Sequence, residues 1–220
     1  MSLRADRNIL QAVISLPSPR LEGKVSLEET VVRRRSVRRY RREPVELSQL
    51  GQILWSAQGI TGGGRLRAVP SAGATYPLEV FVVVGRKGVI AGESKQTPEE
   101  LQPGIYHYEA DSHSLSLHKE ADLRPDLARA SLDQEFIIDA PVDIVLCALY
   151  GRTSRRYGKR GERYVHMEVG HAAENIHLQA VALGLATVEV GAFRDEEVRE
   201  VLGLEEQIKP LYVMPVGRPL

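Results

Sequence analysis

Cysteine is almost absent from this chain of 220 residues: Cys147 stands alone. One thiol can form neither an internal disulfide nor a thiolate metal cluster within a single chain. An excess of one charge sign is also lacking. Lys plus Arg is 29 and Asp plus Glu is 29, a formal net charge of zero. A protein held to nucleic acid by general electrostatics would carry surplus positive charge, so no nucleic-acid partner is expected. No apolar run reaches the roughly 18 residues that a membrane-spanning helix needs. The segment Met1 to Leu16 is interrupted by Arg4, Asp6 and Arg7 and has no secretory apolar core. These absences lead to the expectation of a cytoplasmic protein with no membrane partner.

What is present is ordinary globular material, with 43% apolar and 26% charged residues. A chain this long can bury roughly 70% of its unfolded surface without staples. We divide it into a lead-in, 1–26, and one domain, 27–220. Ser26 and Glu29 have capping-box spacing, which predicts a short helix from Leu27 to Arg35. Leu47, Leu50, Ile53, Leu54 and Ala57 fall on one face of a second helix that stops at Gly59. Thr61 to Arg65 reads as a loop. Val80–Val84 and Val142–Leu149 are continuous apolar runs, as expected of strands buried on both faces. Ile105–Tyr108 and Ser114–Leu117 read as the arms of a hairpin around residues 110–113. A helix is expected over Asp122–Leu132, and the longest one over Arg163–Leu183, stopped by Gly184. A short strand Thr187–Val190, a helix capped by Asp195 and a last strand Leu211–Val216 follow. Strands and helices mix without strict alternation, so the class is α+β.

Four segments carry candidate chemistry. In VVRRRSVRRYRREP, Ser36 lies among Arg34, Arg35 and Arg38. Guanidinium groups and a hydroxyl can grip a phosphate; the same stretch also reads as a solvated face or a nucleic-acid patch. In VPSAGATYPLEVFVVVG, Pro70, Ser71, Ala72 and Gly73 form a small-residue turn before a buried strand. Small side chains let a planar ligand approach the backbone, though an ordinary loop fits too. In LGLATVEVGAFRD, Glu189, Val190 and Gly191 sit between a strand and a helix. In PLYVMPVGRP, Arg218 ends a strand.

Taken in order, these segments resemble the FMN-dependent nitroreductase superfamily, and its SagB-type dehydrogenase branch in particular. The likeness runs over residues 27–219. It rests on RRSVRRY, PSAGATYPLEVFVVV, the series Arg163-Tyr164, Gly170-His171, Asn175 and ALGL at 182–185, then VGAF and PVGRP. The resemblance implies a central, mostly antiparallel sheet flanked by helices and an intertwined homodimer with FMN at the subunit interface. Arg34, Arg35, Ser36 and Arg38 would hold the phosphate, ribityl chain and pyrimidine edge. Pro70, Ser71, Ala72 and Gly73 would come from the partner chain. Val190 and Gly191 would lie over the reactive ring nitrogen with Glu189 nearby, and Arg218 would be a late phosphate contact. The implied reaction is a ping-pong, two-electron reduction of a small electrophilic acceptor, such as a nitroaromatic or quinone, driven by NADH or NADPH. The flavin would carry the chemistry, with no catalytic side-chain nucleophile and no metal. The other implied reaction is SagB-type dehydrogenation of an azoline-like substrate.

Two local departures follow from the comparison of motifs. Ala74, Thr75, Tyr76, Pro77 and Leu78 stand where many nitroreductases have Asn-x-Gln-Pro-Trp, so Tyr76 reshapes the substrate face. Azoline-oxidising relatives use a Lys-Tyr pair before the long helix; here the nearest match is Arg156-Tyr157. His166, His171 and His177 are spaced by five and six, unlike a helical metal pair, and suit packing or surface roles. TGGGR lacks the Gly-Lys-Ser/Thr ending of a triphosphate loop. Cys147 and Trp55 read as packing residues, and the stretch from Lys87 to Gln102 as a candidate cover for the site.

Overall fold

A computed structural model describes residues 13–91 and 99–220. Seven strands build the main sheet: β1 Val13–Ser15, β2 Leu78–Val84, β3 Gly104–Glu109, β4 Ser114–Lys119, β5 Val142–Leu149, β6 Ala186–Thr187 and β7 Ile208–Gly217. Their spatial order is β1-β4-β3-β2-β5-β7-β6, and every neighbouring pair is antiparallel. The helices that matter for the site are α1 Leu27–Arg33, α2 Leu47–Gln58, α3 Arg124–Ala130, α4 Tyr150–Tyr157, α5 Arg160–Ala182 and α6 Asp195–Leu202.

The central strand β5 shows why helices cover both faces. Successive side chains of a strand point to opposite sides. Val142, Ile144, Leu146 and Ala148 therefore enter one core with α2 and α5, while Val145 and Cys147 enter a second core with α3 and α6. Strand β2 divides in the same way, Val80, Val82 and Val84 against Phe81 and Val83. The free thiol of Cys147 is fully buried, and burial pushes its pKa up, so it is a packing residue. Trp55 is half-buried and its Nε1 donates to the Ile60 carbonyl at 3.3 Å.

Several elements differ from the sequence expectation. The first helix ends at Arg33, because Arg34 turns out of helical geometry as its C-cap. Thr61–Arg65 is not a plain loop: Gly62–Arg65 forms one helical turn between the paired segments Ile60–Thr61 and Leu66–Arg67. The long helix starts at Arg160 rather than Arg163 and ends at Ala182. Asp195 is the first helical residue of α6, and Arg194 holds the cap position without a side-chain cap bond. The strand expected over Thr187–Val190 contracts to Ala186–Thr187, with Val190 making a separate bridge to Val213. Val13–Ser15, inside the lead-in, pairs with Ser114–Ser116 at the sheet edge. Of the stretch Lys87–Gln102, residues 92–98 lie outside the described residues; Val89–Ala91 and Glu99–Glu100 pair antiparallel on either side of them.

The basic segment after α1 is fixed by backbone pairing. Val37 N–H donates to Thr187 at 3.0 Å, and Arg41 N–H donates to Arg218 at 2.9 Å. Between them Tyr40 is buried, its hydroxyl within reach of two carbonyls, Val37 at 2.6 Å and Pro215 at 3.2 Å. Tyr40→Phe leaves those buried acceptors short of a donor. It should cost about 1–2 kcal/mol in urea denaturation with an unchanged slope; an unaltered midpoint would contradict this placement.

Candidate functional site

Ser26 caps α1 by accepting from Glu29 N–H at 3.1 Å, so the helix delivers the arginines from a fixed start. At its other end Arg35 folds back, donating to the carbonyls of Val32 at 2.9 Å and Arg34 at 2.6 Å. Those are unsatisfied helix-terminal acceptors, so Arg35 acts as a C-terminal cap with one edge of its guanidinium. Ser36 then bridges Thr187 in parallel register. This places Arg34, Arg35 and Ser36 beside the Thr187–Gly191 segment. Arg38 is exposed, with its guanidinium 5.9 Å over the Phe136 ring and no carboxylate partner among the described residues.

The acceptor side of this corner is Glu189. Buried His177 donates Nε2–H to its carboxylate at 2.9 Å. Burial works against the charge of Glu189, but His177 and then Arg34 outweigh it, and the carboxyl is held below its usual range. Val190 contributes only backbone here. Its side chain packs in the second core, and its N–H and C=O are both taken by Val213. Gly191 is exposed. Thr187 is fully buried, and its hydroxyl has no hydrogen-bond partner among the described residues.

The second group surrounds the turn. Gly73 has φ +63, and a Cβ there would lie 2.6 Å from the Tyr157 hydroxyl and 3.0 Å from Arg156 Nη1. Glycine is thus required both by conformation and by space. Ala74 and Tyr76 also have positive φ, +52 and +44. Ser71 Oγ accepts from Tyr76 N–H at 2.9 Å, and Arg152 Nη1 donates to the Tyr76 carbonyl at 2.8 Å. Arg67 stacks 5.0 Å over the Tyr76 ring. Arg156 Nη1 donates to the Gly73 carbonyl at 3.3 Å. The structure therefore unites Pro70, Ser71, Ala72, Gly73, Tyr76, Arg156 and Tyr157 around one small turn.

Helix α5 touches both groups but on opposite sides. Glu168 faces Ser71, whereas His177 faces Glu189. Nine residues at about 100° each make roughly two and a half revolutions, so these side chains leave opposite flanks, about 13 Å apart along the axis. Within one chain the arginine corner and the turn do not close on each other. Arg218 meets the arginine segment through its backbone, accepting from Arg41 N–H, while its side-chain Nε lies 3.3 Å from Glu43.

A profile of the Nitroreductase family matches residues 31–218. The chain is 45% identical to MJ1384 of Methanocaldococcus jannaschii, named as a candidate nitroreductase, over 89% of this chain and 92% of that protein.

This chain belongs to the nitroreductase family.

Its fold agrees with a crystal structure of a candidate nitroreductase from Ralstonia eutropha, with TM-score 0.77, 30% identity, and coverage of 94% of this chain and 90% of that one. The Escherichia coli microcin synthetase complex McbBCD contains a chain of the same fold, with TM-score 0.70 and 22% identity, covering 93% of this chain and 77% of that one. In sequence, the microcin B17-processing protein McbC is 28% identical over 70% of this chain, which spans 55% of McbC's length. As a nitroreductase-family protein the chain is an oxidoreductase.

Three side chains at the nitroreductase-like site were invisible to motif reading. His177 had only a helical spacing to its name, and its bond to Glu189 spans two separate elements. Arg152 lay in a helix, α4, whose eight residues bury only Thr153 and so show no apolar stripe. Glu168 was hidden because a lone acid on a helix normally faces water. Here it is 3% exposed, with Oε1 unpartnered among the described residues. Burial raises its pKa to about 7, against the Ser71 hydroxyl and Arg67, which favour the charge. A raised folded-state pKa gives stability that is present below the ordinary carboxyl value and is lost as pH rises through about 7. Glu168→Gln should therefore melt like the wild type near that lower value and several degrees higher in mildly alkaline buffer; a gap independent of pH would refute the assignment.

Proposed function

We propose that the protein is an FMN-dependent oxidoreductase that works as a homodimer and takes electrons from NADH or NADPH for transfer to a small electrophilic acceptor, such as a nitroaromatic or a quinone. The observation that carries this reading is the division of the site by α5. The arginine corner and the Pro70–Gly73 turn leave opposite flanks of one helix, as halves of a site completed by a second copy would. The residues fit the group. Arg38 is exposed and unpaired by any described carboxylate, and Ser36 is exposed beside it.

When bound, FMN supplies reversible two-electron chemistry. In this reading Arg34, Arg35 and Ser36 bind its phosphate and ribityl chain, and Arg38 steadies the ring edge where negative charge collects on reduction. The partner's turn would present Pro70, Ser71, Ala72 and Gly73 as a flat backbone floor. Glu189, charged and fixed by His177, orients the Val190–Gly191 backbone. Tyr76, fixed by Arg67 and Arg152, borders the acceptor space. Donor and acceptor occupy that space in turn. Arg218, paired with the half-exposed Glu43, would exchange that carboxylate for the phosphate as a late contact.

A second reading has an observation in its favour. Arg156 and Tyr157 meet the turn at Gly73, in the place where SagB-type relatives carry a Lys-Tyr pair. The reaction would then be oxidation of an azoline-like substrate. Two measurements test these readings. The purified protein should be yellow, and anaerobic NADH or NADPH should bleach it; a yellow protein that neither donor reduces would favour the dehydrogenase, and a colourless one would remove both. Arg38→Ala should lower flavin occupancy or its midpoint potential, and an unchanged occupancy and potential would contradict the role given to Arg38.

A further inference from the structure

Between α4 and the first turn of α5, the chain concentrates positive charge that its zero net charge does not announce. Arg152, Arg155, Arg156, Lys159, Arg160 and Arg163 fall within twelve residues, against a single acid, Glu162. Elsewhere the helices supply their surface arginines with acids one turn away: Arg33 with Glu29, Arg129 with Asp126, Arg194 with Glu197 and Arg199 with Glu196. In this stretch only Arg152 has a carboxylate partner among the described residues, and that partner is Glu79.

Two of these cations lie over aromatic rings. Arg156 stacks on the Tyr157 ring at 5.6 Å and Arg160 on the Tyr164 ring at 5.9 Å. The two rings meet edge to face, with centroids 5.1 Å apart at 89°. Stacking on aromatic faces fixes guanidinium planes while leaving their N–H edges free to bind oxyanions. This stacked edge ends at the turn, where the Tyr157 hydroxyl and Arg156 press against Gly73.

We propose that the Arg155–Arg163 edge is an anion-binding subsite that selects ligands bearing a phosphate or carboxylate in addition to their reacting ring. The inference rests on the flavoenzyme reading for the location of that ring. Like charges held this close repel one another, and a ligand anion relieves the repulsion, so discrimination should weaken as salt rises. Two sources of the anion are open to test: the extra phosphate of NADPH, or a charged acceptor.

The test compares wild type with Arg160→Gln/Arg163→Gln, positions outside the candidate flavin site. Calorimetry with 2′-phospho-ADP-ribose and with ADP-ribose needs no electron transfer, so it reports on the subsite even if the protein holds no flavin. A donor-side anion predicts roughly tenfold tighter binding of the phosphorylated probe, with most of that preference lost in the double variant. An acceptor-side anion predicts instead that para-nitrobenzoate is favoured over para-nitrobenzyl alcohol in kcat/KM, and that the double variant loses this preference. Either loss supports the proposal and names the source. The proposal is overturned if wild type shows neither preference, or if every preference it shows survives intact in the double variant. A colourless protein that nonetheless prefers the phosphorylated probe would sink the flavin reading and leave the subsite standing.

Discussion

The architecture of the site depends on one helix being held rigidly in the first core. Helix α5 packs against α2 and the sheet through Val165, Val169, Ala172, Ala173, Ile176 and Ala180. Its alanines let the helix lie close to its neighbours, and its two buried polar residues then have to find partners at fixed places. Glu168 faces Ser71 and His177 bonds Glu189. Those two contacts set where the turn and the Thr187–Gly191 segment stand relative to each other. Because the contacts leave opposite flanks, the separation of the two groups follows from helical geometry and not from loop conformation.

The turn itself is a strained object maintained by its surroundings. Positive φ at Ala74 and Tyr76 costs free energy of order 1–3 kcal/mol per residue. A polar chain reaches it from the far face of the sheet. Arg152 bonds the Tyr76 carbonyl and also pairs with Glu79, and Glu79 Oε2 is 2.6 Å from His107, whose other ring nitrogen is 2.8 Å from Glu109. Burial opposes the charge on Glu79, but His107 and Arg152 outweigh it and keep the carboxyl ionised. A charged Glu79 holds Arg152, and Arg152 holds Tyr76. The face that an acceptor would meet is thereby tied to the sheet.

Much of this was legible in the sequence, for physical reasons that differ by element. The apolar runs of β2 and β5 announced strands covered on both faces, and the structure fills both sides of each. The periodicity of α2 and α5 was equally plain. Helix α4 was missed because its residues are polar and its single buried residue, Thr153, breaks no pattern. The ordered motifs led to the family, and the structure gathers most of the named residues into two groups. It could not be seen from sequence that Arg218 would be captured by Glu43, or that Val190 would spend its backbone on Val213. Nor could pairings between distant elements, such as His177 with Glu189, be read from spacing along one helix.

The central claim is that each cofactor site takes its arginines from one chain and its turn from another. Hybrid dimers test it most directly. Arg38→Ala and Gly73→Ala each damage one half of the site, so either variant alone should hold little flavin. If the halves come from different chains, a dimer formed from one chain of each kind has one site carrying both defects and one carrying neither, and mixing should restore about one flavin per hybrid dimer. If each site were built within a single chain, every site in the hybrid would carry a defect, and the mixture would bind no more flavin than the separate variants.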